Sequence, residues 1–166
     1  MKDLFAKSSA VISNCGTYRY RLDREWDAGK GTVAFLMLNP SKADHAEDDP
    51  TIRRCTNFAK AWGFGGLIVG NLFALRSTDP KALYSHHDPI GPDNDKHLIE
   101  ICQSSRRIIC AWGTHGKLRG RNRAVHERLK FFDLHALRVT ADGHPGHPLY
   151  IAGSAVPQAF SMEGHP

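Results

Sequence analysis

A small α/β domain, with a central and mainly parallel four-stranded sheet in a three-layer α/β/α arrangement and an N-terminal β-hairpin, is the fold this sequence predicts. Three observations predict it. Continuous apolar runs of strand length recur along the chain, segments of helical period lie between them, and breaks rich in glycine, proline and aspartate separate the two kinds. With 166 residues, 41% hydrophobic and 23% charged, the chain has the make-up of one domain with a real core. That domain is expected over residues 1–151, with an irregular tail over 152–166.

The first element is the hairpin. Residues 9–13 and 17–22 flank Asn14-Cys-Gly16, turn chemistry between two alternating segments, and such a pair usually decorates a sheet edge. After the break at Asp27-Ala-Gly-Lys-Gly31, Thr32-Val-Ala-Phe-Leu-Met-Leu38 is apolar without alternation, as in a strand buried on both faces. From Pro50 to Trp62 the chain sets Ile52, Cys55, Phe58 or Ala59, and Trp62 on one helical face, with Asp49 suited to the N-cap and Pro50 to the first turn. Gly63, Gly65 and Gly66 end that helix, and Leu67-Ile-Val-Gly-Asn-Leu-Phe73 completes a βαβ unit. A polar loop over 74–91 leads to a helix over 92–102 with Leu98, Ile101 and Cys102 as its stripe. Arg107 to Trp112 is the third central strand, 123–132 a further helix, and Leu134 to Val139 the fourth strand.

Composition narrows the functional classes. No stretch approaches the roughly 20 apolar residues of a membrane span, and the first residues lack the apolar block of a signal peptide. A cytoplasmic protein without a membrane partner is expected. Cys15, Cys55, Cys102 and Cys110 form no C-x-x-C pair, so they read as buried free thiols, with an iron–sulfur cluster of converging distant thiolates as the lesser alternative. A net charge of +5 and a pI near 9.2 favour a nucleic acid or phosphate partner. The densest basic stretch, Lys117 to Arg123, reads equally as a phosphate-facing turn or as the solvated start of a helix.

In a parallel α/β sheet, ligands bind beyond the carboxyl ends of the strands. Those ends carry Asn39-Pro-Ser-Lys-Ala-Asp44 and Asp48-Asp-Pro-Thr51, then Asn71-Leu-Phe-Ala-Leu-Arg76, then Trp112-Gly-Thr-His-Gly116, and finally Thr140 to Tyr150 with His144 and His147. Singly, each has a structural reading: Asn-Pro and Ser-Thr-Asp-Pro as turns, Asp49 as a cap, Trp112 as core, the histidines as turn residues. Their convergence on one rim predicts a pocket for a nucleobase or nucleotide. The expected ligand contacts are Pro40, Ser41, Asp49, Arg54, Asn71, Arg76, Trp112, Gly113 and His144, with Asn39, Asp44 and His147 as the candidate catalytic groups. Neither a cofactor nor a metal site is read from the spacing.

Asn39-Pro-Ser-Lys-Ala-Asp44, Asp49-Pro-Thr-Ile-Arg-Arg54, Asn71 to Arg76, Asp93-Asn-Asp95, Trp112-Gly113 and Gly143-His-Pro-Gly-His-Pro-Leu-Tyr150 resemble, in order and from about residue 9 to Tyr150, the bacterial family catalogued as domain of unknown function 1643. More distantly, the order of motifs resembles the uracil-DNA glycosylase superfamily. There Leu38-Asn-Pro40 is similar to the loop after the first strand, Val69-Gly-Asn-Leu-Phe73 to the strand whose asparagine reads the base edge, Ile108 to Gly113 to a strand ending in glycine, and His147-Pro148, or else His144-Pro145, to the final His-Pro motif. The sequence departs from that pattern at Met37 and Leu38, where glycine is usual, at Ser41 after the proline, and at Leu149 after His-Pro. The resemblance therefore implies fold and pocket more than activity.

Three functions follow as expectations. In N-glycosidic hydrolysis, Asn39 or Asp44 would position water, Asn71 would pair with the base edge, His147 would stabilise charge on the departing base, and Trp112 would stack on a flipped base. A non-catalytic nucleotide-binding module would hold phosphates with Arg53 or Arg54, Arg76 and residues 117–123. A phosphoesterase would gather Asp44, Asp48, Asp49 and His147 on a divalent metal.

Overall fold

The computed structural model describes residues 7–163 and has an α/β fold around one mixed seven-stranded sheet. The strands are β1 (Lys7–Ile12), β2 (Arg19–Glu25), β3 (Thr32–Met37), β4 (Gly66–Asn71), β5 (Arg107–Cys110), β6 (Leu134–Ala136) and β7 (Gln158–Ala159), in the order β1-β2-β4-β3-β5-β6-β7. The helices are α1 (Pro50–Ala61), α2 (Ala82–Ser85), α3 (Asn94–Gln103) and α4 (Arg121–Leu129), with short 3-10 turns at Ala28–Lys30, Thr114–Gly120 and Pro148–Tyr150.

The four apolar runs of the sequence form β4, β3, β5 and β6, paired parallel in that order. Their lack of alternation matches their burial: every residue of β4 and five of the six in β3 are buried. The expected sheet of four strands is nevertheless too small and too uniform. The hairpin takes the sheet edge, as the sequence predicts, and there adds two strands to it, β2 pairing antiparallel with β4 from Leu22 opposite Val69 to Glu25 opposite Gly66. At the other edge β7 pairs antiparallel with β6, so the segment after residue 151 contributes a strand. Phe160 and Met162, from the same segment, are buried against the core.

Chain order explains where the helices go. The chain moves from β3 to β4 on one side, then returns across β3 to β5 and β6 on the other. Crossovers of one hand taken in opposite directions set their helices on opposite faces of a sheet. Accordingly Ile52, Cys55, Phe58 and Ala59 of α1 pack with Val33, Phe35, Leu67, Val69 and Ile109. Leu98, Ile101 and Cys102 of α3 and Val125 and Leu129 of α4 pack with Ala34, Leu36, Ile68, Ile108 and Leu134. The α1 start is as the sequence predicts, Asp49 Oδ1 accepting from Ile52 N at 2.9 Å with Pro50 in the first turn.

The direction reversal lies at β3, where the chain leaves toward β4 and later returns to β5. The segments after these strands diverge there and leave a crevice at their carboxyl ends. Among the described residues, no helix is long and apolar enough to cross a membrane.

Candidate functional site

A cavity of about 620 Å³ opens at this crevice. Its wall includes Asn39, Pro40 and Ser41 after β3, Asp49 at the α1 cap, Asn71 at the end of β4, Trp112 and Gly113 after β5, and His147. Eight of the twelve residues named from the sequence thus share one wall.

The end of β4 is fixed by polar groups outside the cavity. Asn94 Nδ2 donates to the Asn71 and Leu72 carbonyls at 2.9 and 3.0 Å, and Arg121 Nε donates to Leu72 O at 2.7 Å. Arg121 is itself held by Asp95 at 2.6 Å. Asn71 is therefore a rigid wall residue, 1% exposed, and neither Nδ2 nor Oδ1 of its carboxamide has a partner. A buried amide with both ends unsatisfied costs on the order of 1–3 kcal/mol per group, which a well-packed core rarely tolerates without a use.

After β3, Asn39 Nδ2 donates to the carbonyls of Leu75 and Ser77 at 3.3 and 3.1 Å, tying its turn to the loop after β4. Gly113 adopts φ 72 and ψ −168, a region that only glycine enters freely, while its N–H donates to Pro145 O at 2.8 Å. This bond docks the last wall segment, residues 138–151, against β5. Trp112 is 2% exposed and meets Phe160 edge-on with 5.9 Å between ring centroids, so it is a buried wall residue whose Nε1 donor has no partner.

His147 Nδ1 accepts from Leu149 N at 3.2 Å, which leaves the ring proton of the neutral imidazole on Nε2. Burial pushes the His147 pKa below its ordinary value, against the opposing pull of Asp49. A neutral imidazole with one nitrogen committed is a hydrogen-bond donor, suited to meeting negative charge.

Four residues named from the sequence lie outside this wall. Asp44 Oδ1 accepts from the Ala46 and Glu47 N–H groups at 2.8 Å each, and these bonds hold its carboxyl below the usual range. Arg54 donates to the Pro148 carbonyl at 3.3 Å and to the Ile151 carbonyl, fastening the His147 segment to α1. Arg76 is half-buried beside the hairpin turn, its Nη1 3.4 Å from Gly16 O. His144 lines a neighbouring cavity of about 410 Å³ with Lys117, Asn122 and Arg123. The basic stretch divides: Lys117 lies in a 3-10 turn and Arg121 is buried at the start of α4.

The carboxylates expected around a metal do not gather. Asp48 pairs with Arg24 at 2.9 Å, Asp49 caps α1, and Asp44 closes its own turn. Among the described residues, no three His, Cys, Asp or Glu side chains group as metal ligands would. Of the cysteines, Cys55, Cys102 and Cys110 are buried but Cys15, in the hairpin turn, is exposed, contrary to the expectation for all four.

Sequence reasoning missed Arg19 and Arg138, and named His115, Thr140 and Tyr150 only as parts of the strand-end segments; all five also line the wall. Arg19 is the most consequential. Because β2 runs antiparallel to β4, its first residue arrives beside the carboxyl end of β4, with Arg19 N bonded to Ala74 O at 3.0 Å. Nothing local in the sequence marks this; the position follows from a pairing between distant segments.

No curated protein and no solved structure matches this chain. One family model does, over residues 19–149, from Arg19 at the start of β2 to Leu149 beside His147, and so spans the whole cavity wall except its last two residues. The chain belongs to that family, described as Protein of unknown function (DUF1643).

Proposed function

We propose that this chain is a cytoplasmic nucleobase- or nucleotide-binding domain with a three-layer, uracil-DNA-glycosylase-like α/β/α architecture, and that Asn71 reads the base edge. The observation that carries this reading is the Asn71 carboxamide, buried in a cavity wall with donor and acceptor both unused. An amide that offers one donor and one acceptor side by side complements the adjacent acceptor and donor of a base edge. A cavity of about 620 Å³ falls within the range of roughly 300–1,000 Å³ typical of small-molecule sites.

The enzymatic form of this reading is hydrolysis of an N-glycosidic bond. Water adds to the anomeric carbon and gives up a proton, the C–N bond breaks, and its electron pair leaves with the base, which ends protonated, so that one water is divided between sugar and base. His147 favours this form, since its Nε2–H can donate to charge developing on the base. Asn39 or Asp49 would hold the water, Asp49 being the carboxylate that lines the cavity. The alternative is a module that binds nucleotide or nucleic acid without chemistry.

The test is a melting-temperature screen with free bases, nucleosides, nucleotides and short uracil- or damage-containing oligonucleotides. Binding to the folded form raises the melting temperature in proportion to the logarithm of ligand excess. One class should shift wild type and fail to shift Asn71→Ala; no shift with any class would sink the reading. Base release from the class that binds would then separate enzyme from module.

A further inference from the structure

We infer that the cavity engages an anionic oxygen of its ligand on Arg19, so that the ligand is a phosphorylated nucleotide, free or within a strand, rather than a base or nucleoside. The inference rests on the nucleobase reading of the same cavity and adds to it the charge of what is bound.

Among the described residues three arginines are buried: Arg19, Arg24 and Arg121. Arg24 pairs with Asp48 at 2.9 Å and Arg121 with Asp95 at 2.6 Å, and neither lines the cavity. Arg19 is 2% exposed, lines the cavity, and forms no ion pair with any described residue. Its hydrogen bond runs from Nη1 to Ala43 O at 2.8 Å. Nε is buried and unpartnered, and Nη2 makes no hydrogen bond within the described chain. Nε and Nη2 form one edge of the guanidinium fork, the edge that grips two oxygens of a phosphate or carboxylate at once.

Asp49 and, more weakly, Asp44 act on Arg19 through space, but both stand beyond ion-pair distance, and the Oδ1 of each is spent on main-chain N–H groups of its own segment. Burial pushes the Arg19 pKa down to about 10, which leaves the guanidinium charged at neutral pH. A buried cation without a counter-ion is strongly unfavourable unless something anionic completes it. The two structural arginines show that this fold supplies a carboxylate where none is to come from outside. Arg54, read from the sequence as a phosphate ligand, already serves two main-chain carbonyls; of the two arginines that line the cavity, Arg138 is exposed and solvated, and Arg19 is the buried one.

The experiment titrates full-length protein calorimetrically with the common nucleosides, their 5′-monophosphates and inorganic phosphate, using wild type, Arg19→Gln and Arg19→Lys. For the base that binds, the monophosphate should bind wild type at least tenfold tighter than the nucleoside, about 1.4 kcal/mol. Arg19→Gln should bring the ratio near one, and Arg19→Lys should restore part of it. If Arg19→Gln does not fold, Arg19→Lys carries the comparison, with Arg138→Gln as the control for the other arginine of the wall: loss of the ratio in Arg138→Gln and its full retention in Arg19→Lys would overturn the assignment to Arg19. Equal affinity of nucleoside and monophosphate would overturn this inference and leave the base site standing. Phosphate bound through Arg19 with no preference among bases would support the anion site and overturn the base reading. No binding by any of these ligands would overturn both.

Discussion

Replacing Asn71 by leucine separates a binding residue from a structural one. If the carboxamide is a recognition group, the fold gains nothing from it: both polar atoms are buried without partners and the side chain is 1% exposed. Leucine keeps the branching at Cγ, exchanges two unsatisfied polar atoms for methyl groups, and has the adjoining cavity to relax into. Each unsatisfied buried group costs about 1–3 kcal/mol, and replacing it by an apolar group of similar shape is neutral to stabilising. Allowing about half of that gain for imperfect fit, Asn71→Leu should stabilise the domain by roughly 2 kcal/mol. For a chain of this size that is about 4–8 °C in Tm. Urea unfolding gives the free energy, calorimetric titration the affinity, and the two should move in opposite directions. A loss of more than about 1 kcal/mol on substitution would refute the reasoning, because the amide would then be supporting the fold.

Asp49→Asn keeps a side chain that caps helices as well as aspartate does, so stability should change by less than about 0.5 kcal/mol in urea while any base release falls with the lost charge. Arg54→Ala removes charge-assisted bonds to the Pro148 and Ile151 carbonyls and should cost about 1–3 kcal/mol in the same assay, with faster proteolysis near His147. Burial lowers the pKa of both His126 and His147, and His126 Nε2 accepts from Met162 N at 3.2 Å, so the unfolded chain takes up protons first. The histidine contribution to stability should be flat above the ordinary value of 6.5 and fall as pH drops below it, until the folded histidines also protonate; His126→Gln should flatten that acid-side slope in urea titrations at successive pH values. Hydrogen bonds with Ser13 and Thr17 lower the Cys15 thiol to about 7, so iodoacetamide at neutral pH should label one thiol per native chain and four in denaturant, with Cys15→Ser abolishing native labelling.

The central strands were legible because burial on both faces leaves an unmistakable pattern, a run of apolar residues without alternation. The α1 start was legible because Asp49 and Pro50 act locally. The pairing of β2 with β4 was not: in β2 the residues from Tyr20 onward alternate between buried and half-buried, as they would in a hairpin outside the sheet, and the partner lies more than forty residues away. Missing that pairing made the sheet too small and hid Arg19. The two residues of β7 carry no periodicity at all, and their pairing follows from β6. The wall residues found correctly lie in the last residues of a predicted strand, in the segment that follows it, or at a predicted cap. Arg54 and Asp44 were drawn in by residue type, but their side chains serve nearby main-chain groups, which composition cannot distinguish from ligand contacts.

Polar side chains fall into two sets in this fold, and the division locates the site more sharply than residue type does. Asn94 Nδ2, Arg121, Arg24 and Arg54 are spent on carbonyls or carboxylates, and each fixes a strand end or loop that frames the cavity. Five described residues keep a buried polar side-chain atom without a partner, and three of them, Arg19, Asn71 and Trp112, line the one cavity. They come from β2, the end of β4 and the segment after β5, elements with no local reason to share a defect. Random packing faults would scatter through the core. Faults gathered on a single wall are what a preorganised site requires, since each donor and acceptor must be desolvated and held in place before the ligand arrives. The set also describes its ligand: a charged two-donor edge at Arg19, a donor and an acceptor together at Asn71, and a single donor at Trp112.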